Sequence, residues 1–94
     1  MAEINKFTWH VDPAHAWLQV AKTCFERVGL DESNITKYSY QDNEFYYLEE
    51  DCDAATFINA LPSFEIAGEW VKPGMFTEIH YTDYAFIRNL ERVG

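Results

Sequence analysis

Asp12-Pro13-Ala14-His15-Ala16-Trp17-Leu18-Gln19-Val20-Ala21-Lys22-Thr23-Cys24-Phe25-Glu26-Arg27-Val28-Gly29 can be read in two ways, and the choice decides the fold. As one helix, Asp12 is the N-cap, Pro13 the first helical position and Gly29 the C-terminal stop. Trp17, Ala21, Cys24 and Val28 then share one face, with His15, Gln19, Lys22, Thr23, Glu26 and Arg27 opposite. In the second reading, Asp12-Pro13 is a turn joining strands at 7–11 and 17–20. A shorter helix then begins near Thr23, where Thr23 and Glu26 make a capping box. Periodicity alone favours the single long helix.

The remaining elements follow more directly. Residues 35–40 and 45–48 are β-branched or aromatic runs around Gln41-Asp42-Asn43-Glu44, which predicts a hairpin. Asp51 or Asp53 then caps a short helix over 54–61, which buries Ala54, Phe57, Ile58 and Leu61 and is ended by Pro62. A second hairpin is predicted from 65–71, a turn at Lys72-Pro73-Gly74, and 76–81. Phe86-Ile87-Arg88-Asn89-Leu90 closes the chain as a short strand or a turn of helix.

Composition narrows the class. Ninety-four residues make one domain, residues 1–94, with 48% apolar residues to supply a core. Sixteen acids against seven bases leave a formal charge of −9. Nucleic-acid backbones and anionic membranes need clustered Lys or Arg, so direct binding to either is disfavoured. A partner with a basic surface is compatible with that charge. Cys24 and Cys52 make no disulfide framework and no metal-type pair. Cys24 is expected in the core, and Cys52, among four acids, is expected to be a poor nucleophile. Residues 1–8 lack the apolar region of a signal peptide, and no run reaches the length of a membrane span. The expectation is a cytoplasmic protein with reduced thiols.

The densest stretch for a contact surface runs over 38–53, with five aromatics, six carboxylates and no Lys or Arg. Asp42, Glu44, Glu49, Glu50, Asp51 and Asp53 supply its charge, and Tyr38, Tyr40 and Tyr46 are its candidate anchors. From 38 to 71 there are eight acids and no base, so one continuous acidic face is expected. Glu49, Glu50, Asp51 and Asp53 also precede a predicted helix, whose dipole favours acids there. Part of the cluster is thereby explained by local structure alone.

Asp12-Pro13-x-His15-x-Trp17-Leu18-x-Val20, Ile35-x-x-Tyr38-Ser39-Tyr40, Tyr47-Leu48-Glu49-Glu50-Asp51-Cys52-Asp53-Ala54 and Phe86-Ile87-Arg88 together resemble a group of small proteins. That group is encoded by bacteriophages, plasmids and other mobile elements of proteobacteria. The resemblance spans roughly residues 9–90 and implies a genetic setting in a bacterial host cytoplasm rather than an activity. It also bears on the fold. Relatives tend to carry glycines where this chain has Ala14 and Ala16, and a proline where it has Ala21. Those residues would spoil one long helix, so the resemblance implies the hairpin followed by the short helix.

Reactive constellations are sparse. His10, Asp12 and His15, joined by His80 and Asp83, have the ligand types of a zinc or iron site, but their spacing matches no specific metal motif. Ser33, Ser39 and Ser63 lack a nucleophile-elbow context, neither cysteine neighbours a histidine, and the four glycines form no phosphate loop. Alternating acids around a glycine turn are also missing, so an EF-hand-like calcium loop is not expected.

The reading is an α+β domain, an antiparallel sheet built from β-hairpins with two short helices packed on it. The expected function is non-catalytic binding of a host protein with a basic surface, a defence or nucleic-acid-handling factor, with no cofactor or metal required. Two alternatives stay open: a small metal-dependent enzyme using His10, Asp12 and His15, and a self-associating structural domain, with a homodimer as its simplest form.

Overall fold

The computed structural model describes residues 7–60, 65–66, 69–70, 76–83 and 85–93. The deciding stretch folds as a turn, a strand and a short helix. β1 (Phe7–Val11) and β2 (Ala16–Ala21) pair antiparallel, with Thr8 opposite Gln19 and Val11 opposite Ala16. Asp12 builds the turn between them, its Oδ1 accepting from the backbone N–H groups of Ala14 and His15 at 2.9 Å each. α1 (Lys22–Arg27) follows without a break. The expected Thr23–Glu26 capping box does not form. The helix begins two residues earlier, with Ala21 rather than Thr23 at the N-cap position and no side-chain cap. The Lys22 N–H is satisfied instead by the Glu44 carbonyl at 2.9 Å. α1 ends on Gly29, whose φ of 87° is left-handed, with the Gly29 and Leu30 N–H groups bonded back to the carbonyls of Glu26 and Phe25.

β4 (Phe45–Glu49) lies beside β2, β3 (Tyr40–Gln41) beside β4, and β8 (Glu91–Arg92) beside β3, all antiparallel. The strand predicted over 35–40 shrinks to its last residue plus Gln41. Before it, Glu32–Asn34 forms a 3₁₀ turn capped by Asp31. α2 (Asp53–Ala60) starts one residue before the predicted position. β5 (Glu65–Ile66) pairs with β6 (Glu69–Trp70) in a small separate sheet. β7 (Phe76–His80) joins the main sheet as a parallel neighbour of β1. The second predicted hairpin is therefore corrected: among the described residues its two halves do not pair with one another. Its turn, Lys72-Pro73-Gly74, and the predicted helix end at Leu61 and Pro62 lie outside the described residues. Phe86–Asn89 is a 3₁₀ turn.

The main sheet has the order β7-β1-β2-β4-β3-β8, mostly antiparallel, and the class is α+β. Both faces of its centre are covered. On the first face Phe7, Leu18, Val20, Tyr46 and Leu48 meet Cys24 and Phe25 of α1 and Ala54 and Phe57 of α2. The Phe57 ring lies 5.3 Å from Phe7 and 5.9 Å from Phe25. On the second face Trp17, Tyr40 and Tyr47 are covered by Ala85 and Ile87 from the C-terminal segment. That second layer, a 3₁₀ turn on an aromatic sheet face, positions the candidate site.

Candidate binding cleft

Asp12 fastens the C-terminal segment to the sheet. Its Oδ2 accepts from the Ala85 N–H at 3.1 Å and from Arg88 Nε at 2.9 Å, while its Oδ1 accepts from Arg88 Nη2 at 3.2 Å. The Arg88 guanidinium holds the Asp12 carboxyl well below the usual carboxylate range; burial opposes this, and the backbone N–H groups of Ala14, Ala85 and His15 reinforce it. Arg88 in turn lies over the Trp17 ring, 5.2 Å from its centroid.

Beside this anchor a cleft of about 300 Å³ opens, lined by His15, Trp17, Tyr38, Tyr40, Glu49, Asp51, Cys52, Arg88 and Arg92. That volume is at the lower end of ligand-sized sites. Tyr38 stands at the surface with 55% of its area exposed, whereas Tyr40 is buried and meets Trp17 edge to face at 6.0 Å. Each aromatic wall already carries a cation of the same chain. Lys37 lies 5.8 Å from the Tyr38 ring centre, Arg92 lies 5.1 Å from that of Tyr40, and Arg88 lies on Trp17. Glu49 Oε2 accepts from the Cys52 N–H at 3.1 Å, and Asp51 and Cys52 are exposed. The Trp17 indole N–H is buried and has no acceptor among the described residues.

Of the nine residues expected to bind, the structure brings four together here: Tyr38, Tyr40, Glu49 and Asp51. Glu50 follows them but lines a different, shallower hollow with Trp9 and Glu78. Asp42 and Glu44 sit at the opposite end of β4, roughly 15 Å away for a strand of this length. The single continuous acidic face is thus corrected to separate groups. Asp42 is also engaged structurally, accepting from the N–H groups of Glu44 and Phe45 and from the Tyr47 hydroxyl at 2.8–2.9 Å. Burial works against its charge, yet these donors and nearby Lys22 keep its carboxyl below the ordinary value.

Two further expectations fail for physical reasons. Asp53 is 2% exposed and is spent on the fold: it accepts from the Thr36 N–H, the Thr36 hydroxyl and the Ser39 hydroxyl, tying α2 to the segment before β3. Tyr46 faces the first core, its ring 5.1 Å from Phe25 with Lys22 Nζ 5.0 Å above it. Burial, and the negative charges of Glu32, Glu26 and Asp31, raise its hydroxyl pKa. Neither presents itself to a partner.

The His10, Asp12 and His15 constellation is divided. Both ring nitrogens of buried His10 are engaged, Nδ1 with the Tyr81 hydroxyl and Nε2 with Gln19 Oε1, each at 2.7 Å. With a carbonyl oxygen facing Nε2, the proton sits on Nε2 and Nδ1 accepts from Tyr81. His15 is exposed in the cleft, and His80 contacts Glu78 at 3.0 Å. No group of three potential metal ligands converges among the described residues.

The sequence reading missed Trp17, His15, Cys52, Arg88 and Arg92 as cleft residues. The last two stand four apart in a segment that holds two of the chain's seven bases, which was the available signal. Compared with protein-family models, with curated proteins and with solved structures, the chain gives no match.

Proposed function

We propose that this is a small acidic, non-catalytic binding protein whose contact surface is the cleft around Tyr38, Tyr40, Glu49 and Asp51. The observation that carries the reading is the convergence of these four residues in one concavity with an exposed tyrosine at its mouth. Asp12 balances Arg88, which leaves two carboxylates against the Arg92 guanidinium in the lining. A basic segment of a host protein complements that balance, and the net charge of −9 steers it in. Occlusion of the partner's basic surface is the mechanism. The setting, a mobile element in a bacterial host cytoplasm, rests on the resemblance over residues 9–90. No helix among the described residues is long and apolar enough to cross a membrane.

The test is affinity capture from a proteobacterial lysate at low salt and at about 0.5 M salt, where exposed charges are screened within a few ångströms. A specific partner is expected at low salt, lost at high salt, and lost with Tyr38→Ala or with the Glu49→Gln/Asp51→Asn pair. A partner retained equally by these variants would place the contact elsewhere. Self-association is a second reading, favoured by β7. It is an edge strand among the described residues, and Ile79 on it is 46% exposed. Sedimentation at several concentrations tests it, and a mass that stays monomeric removes it.

A further inference from the structure

Resting on the binding reading above, we infer that the cleft receives an arginine side chain from the partner segment, and that Arg92 occupies its place until the partner displaces it. The rings of Tyr40 and Trp17 already accept guanidinium groups, at 5.1 and 5.2 Å from their centroids. A third ring, that of Tyr38, is 55% exposed beside them, with the flexible Lys37 ammonium 5.8 Å from its centre. Planar guanidinium stacks on such rings and pairs with carboxylates through two parallel N–H groups, which a lysine ammonium cannot do. Glu49 and Asp51 in the same lining supply those carboxylates.

The two resident arginines differ in how they are held. Arg88 is clamped on the buried Asp12 carboxylate by two guanidinium nitrogens. Arg92 is exposed on the short strand β8, an edge of the sheet among the described residues, and its hydrogen bond runs from Nη1 to the Lys37 carbonyl at 3.2 Å. Arg92 is the one that an incoming group can replace at small cost. A guanidinium therefore meets the cleft better than a simple cation does.

The experiment follows amide shifts on addition of acetyl-Gly-Arg-Gly-amide, and of its citrulline counterpart, at low ionic strength. Wild type, Arg92→Ala and Arg92→Gln are compared, with thermal melts to show that each variant is folded. The arginine peptide is expected to move the Tyr38, Tyr40 and Trp17 signals and to bind both variants about two- to fivefold more tightly than wild type, the scale of one exposed cation–aromatic contact. The neutral citrulline peptide is expected not to bind. Equal or weaker binding by the variants overturns the displacement while leaving the cleft as a site for basic segments. Equal binding of the citrulline peptide overturns the requirement for guanidinium. No binding of the arginine peptide to any of the three proteins overturns this inference and the basic-segment reading together.

Discussion

Arg88 grips Asp12 with two of its guanidinium nitrogens, at 2.9 and 3.2 Å, across 76 residues of sequence. The Asp12 side chain is fully buried while that of Arg88 is 29% exposed, so the carboxylate relies on the guanidinium rather than on water. Removing the guanidinium leaves a buried charge with only backbone donors. Arg88→Ala is expected to destabilise the protein by about 2–3 kcal/mol, and Arg88→Lys to recover only part of that. Urea unfolding at neutral pH measures it. A loss below about 1 kcal/mol would mean that the C-terminal segment is held by Ala85 and Ile87 packing instead.

His10 gives the fold a pH dependence in a separate window. Burial disfavours its charged form and outweighs the bond to Gln19, so its folded pKa lies below the ordinary 6.5. Below pH 6.5 the unfolded chain takes up a proton that the folded state refuses. The contribution is thus fully present above that pH and is lost as pH falls toward the folded value. Asp12 acts only lower, below the ordinary 3.8, because its folded pKa is depressed. Unfolding midpoints are therefore expected to drop between about pH 7.5 and about pH 5, and His10→Gln is expected to flatten that slope. A slope unchanged in the variant would assign it to other groups.

The two readings of 12–29 show what the sequence could and could not reveal. β2 lies between β1 and β4 with helices on one face and the C-terminal turn on the other, so five of its six residues are buried. A strand covered on both sides loses its two-residue alternation, and Trp17, Ala21, Cys24 and Val28 then mimic a helical face. The Asx turn at Asp12 and the stop at Gly29 were legible because their chemistry is local. The parallel pairing of β7 with β1 was not, since neither strand carries a mark of its partner in sequence. The site was legible in the same uneven way. Tyr38 and Asp51 sit where acidic and aromatic density pointed, but the partnership of Arg88 with Asp12 joins residues that only the closed sheet brings together.

Asp53 and Glu50, near neighbours in sequence, are expected to separate fold from contact. Asp53 is 2% exposed and accepts from three groups of Thr36 and Ser39, so Asp53→Ala strands buried donors. A loss of about 3 kcal/mol is expected. Glu50 is exposed, and Glu50→Gln is expected to change stability by less than about 0.5 kcal/mol. Thermal melts of both variants check this. Similar losses in the two would show that the charge of the 49–53 cluster, rather than the Asp53 bonds, stabilises the start of α2.

The two thiols should report the cleft and the core independently. Cys52 is exposed in the cleft lining, while Cys24 is fully buried on α1 among the residues of the first core. Burial pushes the Cys24 thiol up to about 12, with Arg27 opposing only weakly, so thiolate is scarce there even if reagent enters. A disulfide reagent at neutral pH is expected to titrate one thiol in the folded protein and the second only at the rate of unfolding, and Cys52→Ser should abolish the fast phase. If an arginine peptide fills the cleft, it should slow the Cys52 reaction and leave the Cys24 phase unchanged. Protection of both would signal a general gain in stability, and protection of neither would place the peptide away from Cys52.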